Sequence, residues 1–217
     1  MVMINDVEVA EKDLFRRIVV NELGMAAPAF CKFAQELIDE VPEYFWTEPA
    51  SATGKHHPEF SLGVGGLARH SLMTFHWLKT LLFDYDQDMT DYVPGMVVAA
   101  LFHDCCKRGL PDSIDLEHTK FEHPLLGAKF VLDRAERFAG ENKEFFGTVI
   151  EDEEAFKHNV AIAVSCIETH MGKWTTSKHS EVTLPKPKTA FQFMVHLADY
   201  IASRKCTTFD VRSFENG

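Results

Sequence analysis

The chain has 217 residues, 46% of them hydrophobic, which is enough to bury the core of one domain. Its 22 basic and 33 acidic side chains leave a net charge of −11, and a surface that negative repels a polyphosphate strand, so broad nucleic-acid binding is not expected. No apolar run approaches the roughly 18 residues that a membrane span needs, and the opening MVMINDVEVAEKD has no apolar stretch of the kind a signal peptide requires.

Helical spacing dominates from the start. Val9, Leu14, Phe15, Ile18 and Val19 fall mostly at helical steps and predict a helix over residues 7–23, before Gly24. A second amphipathic stretch covers 27–41 and stops at Pro42. Residues 42–66 read as a long irregular passage, with Pro49, Gly54 and Pro58 and the string Ser51-Ala52-Thr53-Gly54-Lys55-His56-His57-Pro58. Loops that long inside a compact domain are often functional. Helical patterning returns over 67–83 and again over 93–107, where Gly109 and Pro111 mark a stop. Further helices are predicted over 124–138, with Pro124 in the first turn, over 151–170 and over 189–205. No alternating strand pattern, internal repeat or low-complexity tract interrupts them, so the expected class is all-α.

Two compositional features qualify this reading. Lys173, Lys178, Lys186 and Lys188, with Glu181 the only acid among them, make a basic segment in an acidic chain. It is either a solvated loop or the rim of an anion site. The five cysteines, Cys31, Cys105, Cys106, Cys166 and Cys206, show no CxxC spacing, and an odd number cannot all pair. They read as reduced thiols of a cytoplasmic protein, with Cys105 and Cys106 packed in the core.

Eleven histidines are present, several inside apolar helical stretches. Gly65-Gly66-Leu67-Ala68-Arg69-His70 opens one helix, and Phe102-His103-Asp104-Cys105-Cys106-Lys107 closes another. His123-Pro124 opens a third, Glu168-Thr169-His170-Met171-Gly172 ends a fourth, and His196-Leu197-Ala198-Asp199 lies in the last. A buried imidazole or carboxylate without a partner costs several kcal/mol, and one metal ion can satisfy such groups from several helices at once. A lone His or a His-Asp pair means little, but the order His, His-Asp, His, His, Asp points to a metal site.

In that order the sequence resembles the HD-domain superfamily of metal-dependent phosphohydrolases, over residues 63–205. The HDxxK string from His103 to Lys107 and the ADYIAS helix carry the resemblance most specifically. It implies an HD-type helical bundle over residues 63–217 packed together with an N-terminal helical segment and loop, 1–62, as one domain. It also implies that His70, His103, Asp104 and Asp199 hold one divalent ion. His123 and His170 match the extra ligands of two-metal members, in which Asp104 bridges. Imidazole with carboxylate suits Fe or Mn, while Zn, Mg, Ni or Co remain alternatives. Two such ions would generate a hydroxide for attack on a phosphoester and stabilise the leaving oxygen.

The family's motif gives Lys107 a catalytic role, stabilising charge on a phosphate oxygen; otherwise it is a cation at a helix end. Arg69, Arg108, Arg204, Lys173, Lys55, His56 and His57 are candidate substrate contacts. His196, one turn before Asp199, is a candidate support for it, whereas His76 and His158 read as structural. Among HD proteins, the chain is similar to the HD part of bacterial 3′–5′ exoribonuclease-like proteins. Those have Ser-His-His-Gly where this chain has Thr169-His170-Met171-Gly172, and they carry an OB-type module that the helical reading of residues 1–62 does not provide. The expected substrate is therefore a nucleotide or another small phosphorylated compound. The alternatives are an HD-fold di-iron oxygenase acting on a polyol or phosphonate, and a nucleotide sensor without turnover.

Overall fold

A computed structural model describes residues 4–51, 53–85, 88–146 and 153–206. Among these, the α-helices are α1 (Ile4–Leu23), α2 (Pro28–Glu40), α3 (Tyr44–Thr47), α4 (Gly66–Phe83), α5 (Val93–Phe102), α6 (His123–Glu141), α7 (Lys143–Phe146), α8 (Glu153–Thr169) and α9 (Ala190–Ala202). Short 3₁₀ turns cover Glu59–Ser61 and Thr90–Tyr92. The only strand-like feature among the described residues is an isolated bridge between Ser177 and Ser180. The chain is all-α, as the periodicity predicts. No helix among the described residues is long and apolar enough to cross a membrane.

Local chemistry explains the boundaries. Proline stands in the first turn of α2, α5 and α6, where its missing N–H costs no helical bond. Helix α9 begins with a capping box: Thr189 accepts the Gln192 N–H while the Gln192 side chain accepts the Thr189 N–H. The C-terminal residue of α2's cap, Val41, is extended, as the residue before Pro42 must be.

Helix α5 is apolar all round, and Val97 to Phe102 have no exposed surface, which places it at the centre. It packs on α8, α4 and α9, while α4 also lies along α9 and α8 along α6. Gly95 lets α8 approach closely, since a Cβ there would collide with Ile162. The N-terminal helices share this core. Phe15 of α1 sets its ring edge against Phe45, Trp46 and Phe102, with centroids 5.8, 5.1 and 6.0 Å away.

Three local expectations need correction. The irregular passage over 42–66 contains α3 and a 3₁₀ turn, both too short for a periodic pattern to register. The helix expected over 93–107 ends at Phe102. Beyond it the N–H groups of Cys105, Lys107 and Gly109 bond three residues back, to Phe102, Asp104 and Cys106, in successive tight turns. Tyr44 of α3 stabilises this path: its hydroxyl lies 2.8 Å from the Gly109 carbonyl and 3.0 Å from that of Cys105, and accepts the Arg108 N–H. Helix α8 runs to Thr169, one residue short of the expected end, and its expected start at Glu151 lies outside the described residues.

Candidate metal centre

The end of the buried helix α5 delivers His103 and Asp104 to a place where four other elements also deliver polar groups. His70 comes from the second turn of α4, His123 is the first residue of α6, His170 follows α8 directly, and Asp199 lies in α9. His70, His103, Asp104, His123 and His170 are all at most 4% exposed. The structure therefore brings together all six residues expected as ligands, in overlapping triplets: His70 with His103 and Asp104, His103 with His170 and Asp199, and Asp104 with His123 and His170.

Asp104 faces two ways. Its Oδ1 lies 3.1 Å from His123 Nε2 and 3.7 Å from His170 Nε2. Its Oδ2 lies 3.7 Å from His103 Nε2 and 3.9 Å from His70 Nε2. Asp199 Oδ1 completes the second group, 3.0 Å from His70 Nε2 and 3.7 Å from His103 Nε2.

Proton placement shows what this arrangement suits. His103, His123 and His170 each set Nδ1 against the carbonyl three residues earlier, of Ala100, Lys120 and Ile167, at 3.0, 2.7 and 2.7 Å. A carbonyl only accepts, so each Nδ1 carries a proton. Burial drives His103 and His170 toward the neutral form, His170 down to about 3. Their Nε2 atoms thus offer lone pairs. Yet His123 and His170 Nε2 stand 3.2 Å apart, and His70 and His103 Nε2 3.4 Å apart, with carboxylate oxygens alongside. A proton can satisfy one such contact, whereas a cation between these atoms satisfies all of them. The donor set fits a metal ion, and the carbonyl partners fix the ring orientations.

Both carboxylates stay ionised. Burial alone would raise Asp104, but the ammonium of Lys107 beside it holds it well below the usual range. For Asp199 burial is likewise outweighed, chiefly by the hydrogen bond from His70. Lys107 Nζ sits 2.5 Å from Asp104 Oδ2.

The centre forms the floor of a cavity of about 470 Å³. Lys107, His57, His56, Thr119, Met171, Trp174, Ser203 and Arg204 surround it, so of the expected substrate contacts Lys107, His56, His57 and Arg204 line the cavity. His57 lays its ring edge-to-face on His70 at 5.2 Å, and its buried Nδ1 has no partner. Burial, then His70 and Lys107, push it down to about 3.

Other candidates do not line the cavity. Arg69 turns away from it, donating to the carbonyls of Phe60, Leu62 and Val64 and pairing with Glu11. Arg108 pairs with Glu48, and Lys55 is exposed outside the lining. Lys173 sits over the Trp174 ring without lining the cavity itself. Lys178, Lys186 and Lys188 are exposed and also outside the lining. What the basic segment contributes is Trp174, stacked at 5.6 Å on Tyr200, whose other partner is the Arg204 guanidinium at 3.9 Å. His196 supports His170, not Asp199: its Nδ1 lies 2.6 Å from the His170 carbonyl. Cys105 and Cys106 are fully buried, and the described cysteines are all free thiols.

Comparison of the chain with family models, curated proteins and solved structures returns no match.

Proposed function

We propose that this chain is a metal-dependent phosphohydrolase of the HD type, holding two divalent ions and cleaving a phosphoester of a nucleotide or related small phosphorylated compound. The observation that carries the reading is the convergence of four buried imidazoles and two ionised carboxylates, all but His103 lining a cavity that Lys107 and Arg204 also line. Nitrogen and oxygen donors without thiolate favour Fe or Mn. In this reading His70, His103, Asp199 and Asp104 would hold one ion, and His123, His170 and Asp104 the other. When bound, such ions would supply Lewis acidity and an activated water.

The chain's own residues do the rest. Carbonyl-anchored histidines keep their lone pairs aimed inward without reorganisation during the reaction. Lys107, held beside Asp104, presents an ammonium to a phosphate oxygen as charge grows there. Arg204, backed by Tyr200, offers a second cation at the wall. Trp174, with Met171, gives an apolar side suited to the non-phosphate part of the substrate. The cavity volume lies within the range of small-molecule sites, roughly 300–1,000 Å³, and local cations offset the overall charge of −11.

The test is metal analysis of anaerobically prepared protein together with a phosphate-release screen over nucleotides and phosphodiesters. Two ions per chain and phosphate release that stops with a chelator are expected. Oxygen uptake with a mixed-valent iron signal, and no phosphate release, would favour the oxygenase instead.

A further inference from the structure

We infer that His196 is the positioning residue for the His123/His170 half of the centre, acting through the backbone carbonyl of His170, so that its loss weakens cation binding in that half alone. The inference rests on the two-ion reading above.

His170 needs external support because it has left its helix. Helix α8 ends at Thr169, and the carbonyls at a helix C-terminus have no partner within the helix. The His170 N–H reaches the Ile167 carbonyl only at 3.4 Å, a weak bond. What then fixes the residue is its ring bond to Ile167 and the Nδ1–H of His196, which donates to the His170 carbonyl at 2.6 Å. That donor stands on a rigid element. Helix α9 is capped at its start, lies along α4, and carries Asp199 one turn further on. One helix therefore sets the register of both halves: directly through Asp199, and indirectly through His196.

The turn after His170 is shaped to this ring. Gly172 adopts φ +61°, in the left-handed region, and a Cβ there would overlap the His196 imidazole. The ring also lies near Trp174 and Tyr200, with centroids 6.2 and 6.3 Å away. Packing against those two aromatics is thus the competing role. Neither His70, His103 nor Asp199 hydrogen-bonds to His196, so its direct support goes to His170.

The experiment separates donor from ring. Chelator-stripped protein is titrated with Mn²⁺, and free Mn²⁺ is read by EPR, with melting in chelator as the folding check. Wild type should show two sites. His196→Phe keeps a ring but loses the donor, and should weaken one site by about 10–100-fold while leaving the other unchanged. His196→Asn supplies an amide N–H in a similar place without the ring, and should bind both ions within about threefold of wild type. A Phe variant that does not fold is replaced by His196→Leu, for which the same one-site loss is expected.

Wild-type affinity in the Phe variant, a reversed order of the two variants, or an equal fall at both sites overturns the proposal. A wild-type chain taking up fewer than two ions overturns the two-ion reading, and the proposal with it.

Discussion

The two halves of the candidate metal centre are built differently. His70 and Asp199 lie within helices, and those helices, α4 and α9, pack along each other, so this pair is set by the same contacts that make the core. His123 and His170 stand at helix ends: one opens α6, the other follows α8. Their positions depend on hydrogen bonds from turns, through the Lys120 and Ile167 carbonyls, and on His196 from α9. His103 of the first half also follows its helix directly, but His70 and Asp199 tie that half to the α4–α9 contact. The second can be loosened while the fold stays intact, because end turns open at lower free energy than buried helices do. Variants divide according to which half they touch.

Asp104 belongs to both, and its removal should have the largest effect. Asp104→Ala takes away the carboxylate whose two oxygens face the two imidazole groups, and metal content by elemental analysis should fall from two ions to none. His123→Ala should cost mainly one ion. Two ions retained in Asp104→Ala would end the comparison, since the halves would then have no shared ligand.

Lys107 touches the same carboxylate but is expected to act on the substrate. Lys107→Met should keep both ions yet lower turnover by about 10²–10³, the usual cost of one donor that stabilises developing charge. Parallel metal analysis and phosphate-release rates check this. Lost metal with intact turnover per ion would make Lys107 a counter-ion to Asp104 only.

Gly172→Ala probes the second half by itself. A side chain at φ +61° costs about 1–3 kcal/mol, and here the Cβ also displaces the His196 ring. A lower melting temperature should accompany loss of one ion, with the other retained. Equal loss of both would show that the halves are not separable.

Much of this arrangement was legible in the sequence. Helix periodicity gave the all-α class and most element positions, because amphipathic faces and proline starts are local features. The six residues that converge in the candidate centre were readable from their order along the chain, His, His-Asp, His, His, Asp. Side-chain direction was not. Arg69 precedes a ligand in sequence, yet one residue is about 100° around a helix, which turns it toward the carbonyls of residues 60–64. Lys178, Lys186 and Lys188 share a segment with Trp174, but only the tryptophan reaches the cavity, and an aromatic four residues after His170 was the available signal. His196 pairs with His170 across 26 residues, a contact that no spacing rule encodes.

The smallest expected effect lies in the loop that leads into His123. Asp115 accepts the N–H groups of Glu117 and His118 and the ammonium of Lys120, at 3.0, 3.1 and 3.1 Å. Its own N–H reaches the Arg108 carbonyl, and Lys120 N–H reaches that of Lys107, so the loop is tied to the turn that carries Asp104. The Lys120 carbonyl in turn holds the His123 ring. The hydrogen bond from Lys120 and those from the His118 and Glu117 N–H groups push the Asp115 carboxyl down to about 2 from the ordinary 3.8. A carboxyl whose folded value is depressed contributes stability above its unfolded value and loses it as pH falls through the folded one. The gap in melting temperature between wild type and Asp115→Ala, both in chelator, should therefore be fully present above about pH 4 and close as pH falls toward about 2. A gap that is constant across that window would mean the loop is held by its backbone bonds to Lys107 and Arg108, with the Asp115 charge contributing nothing to the second half of the site.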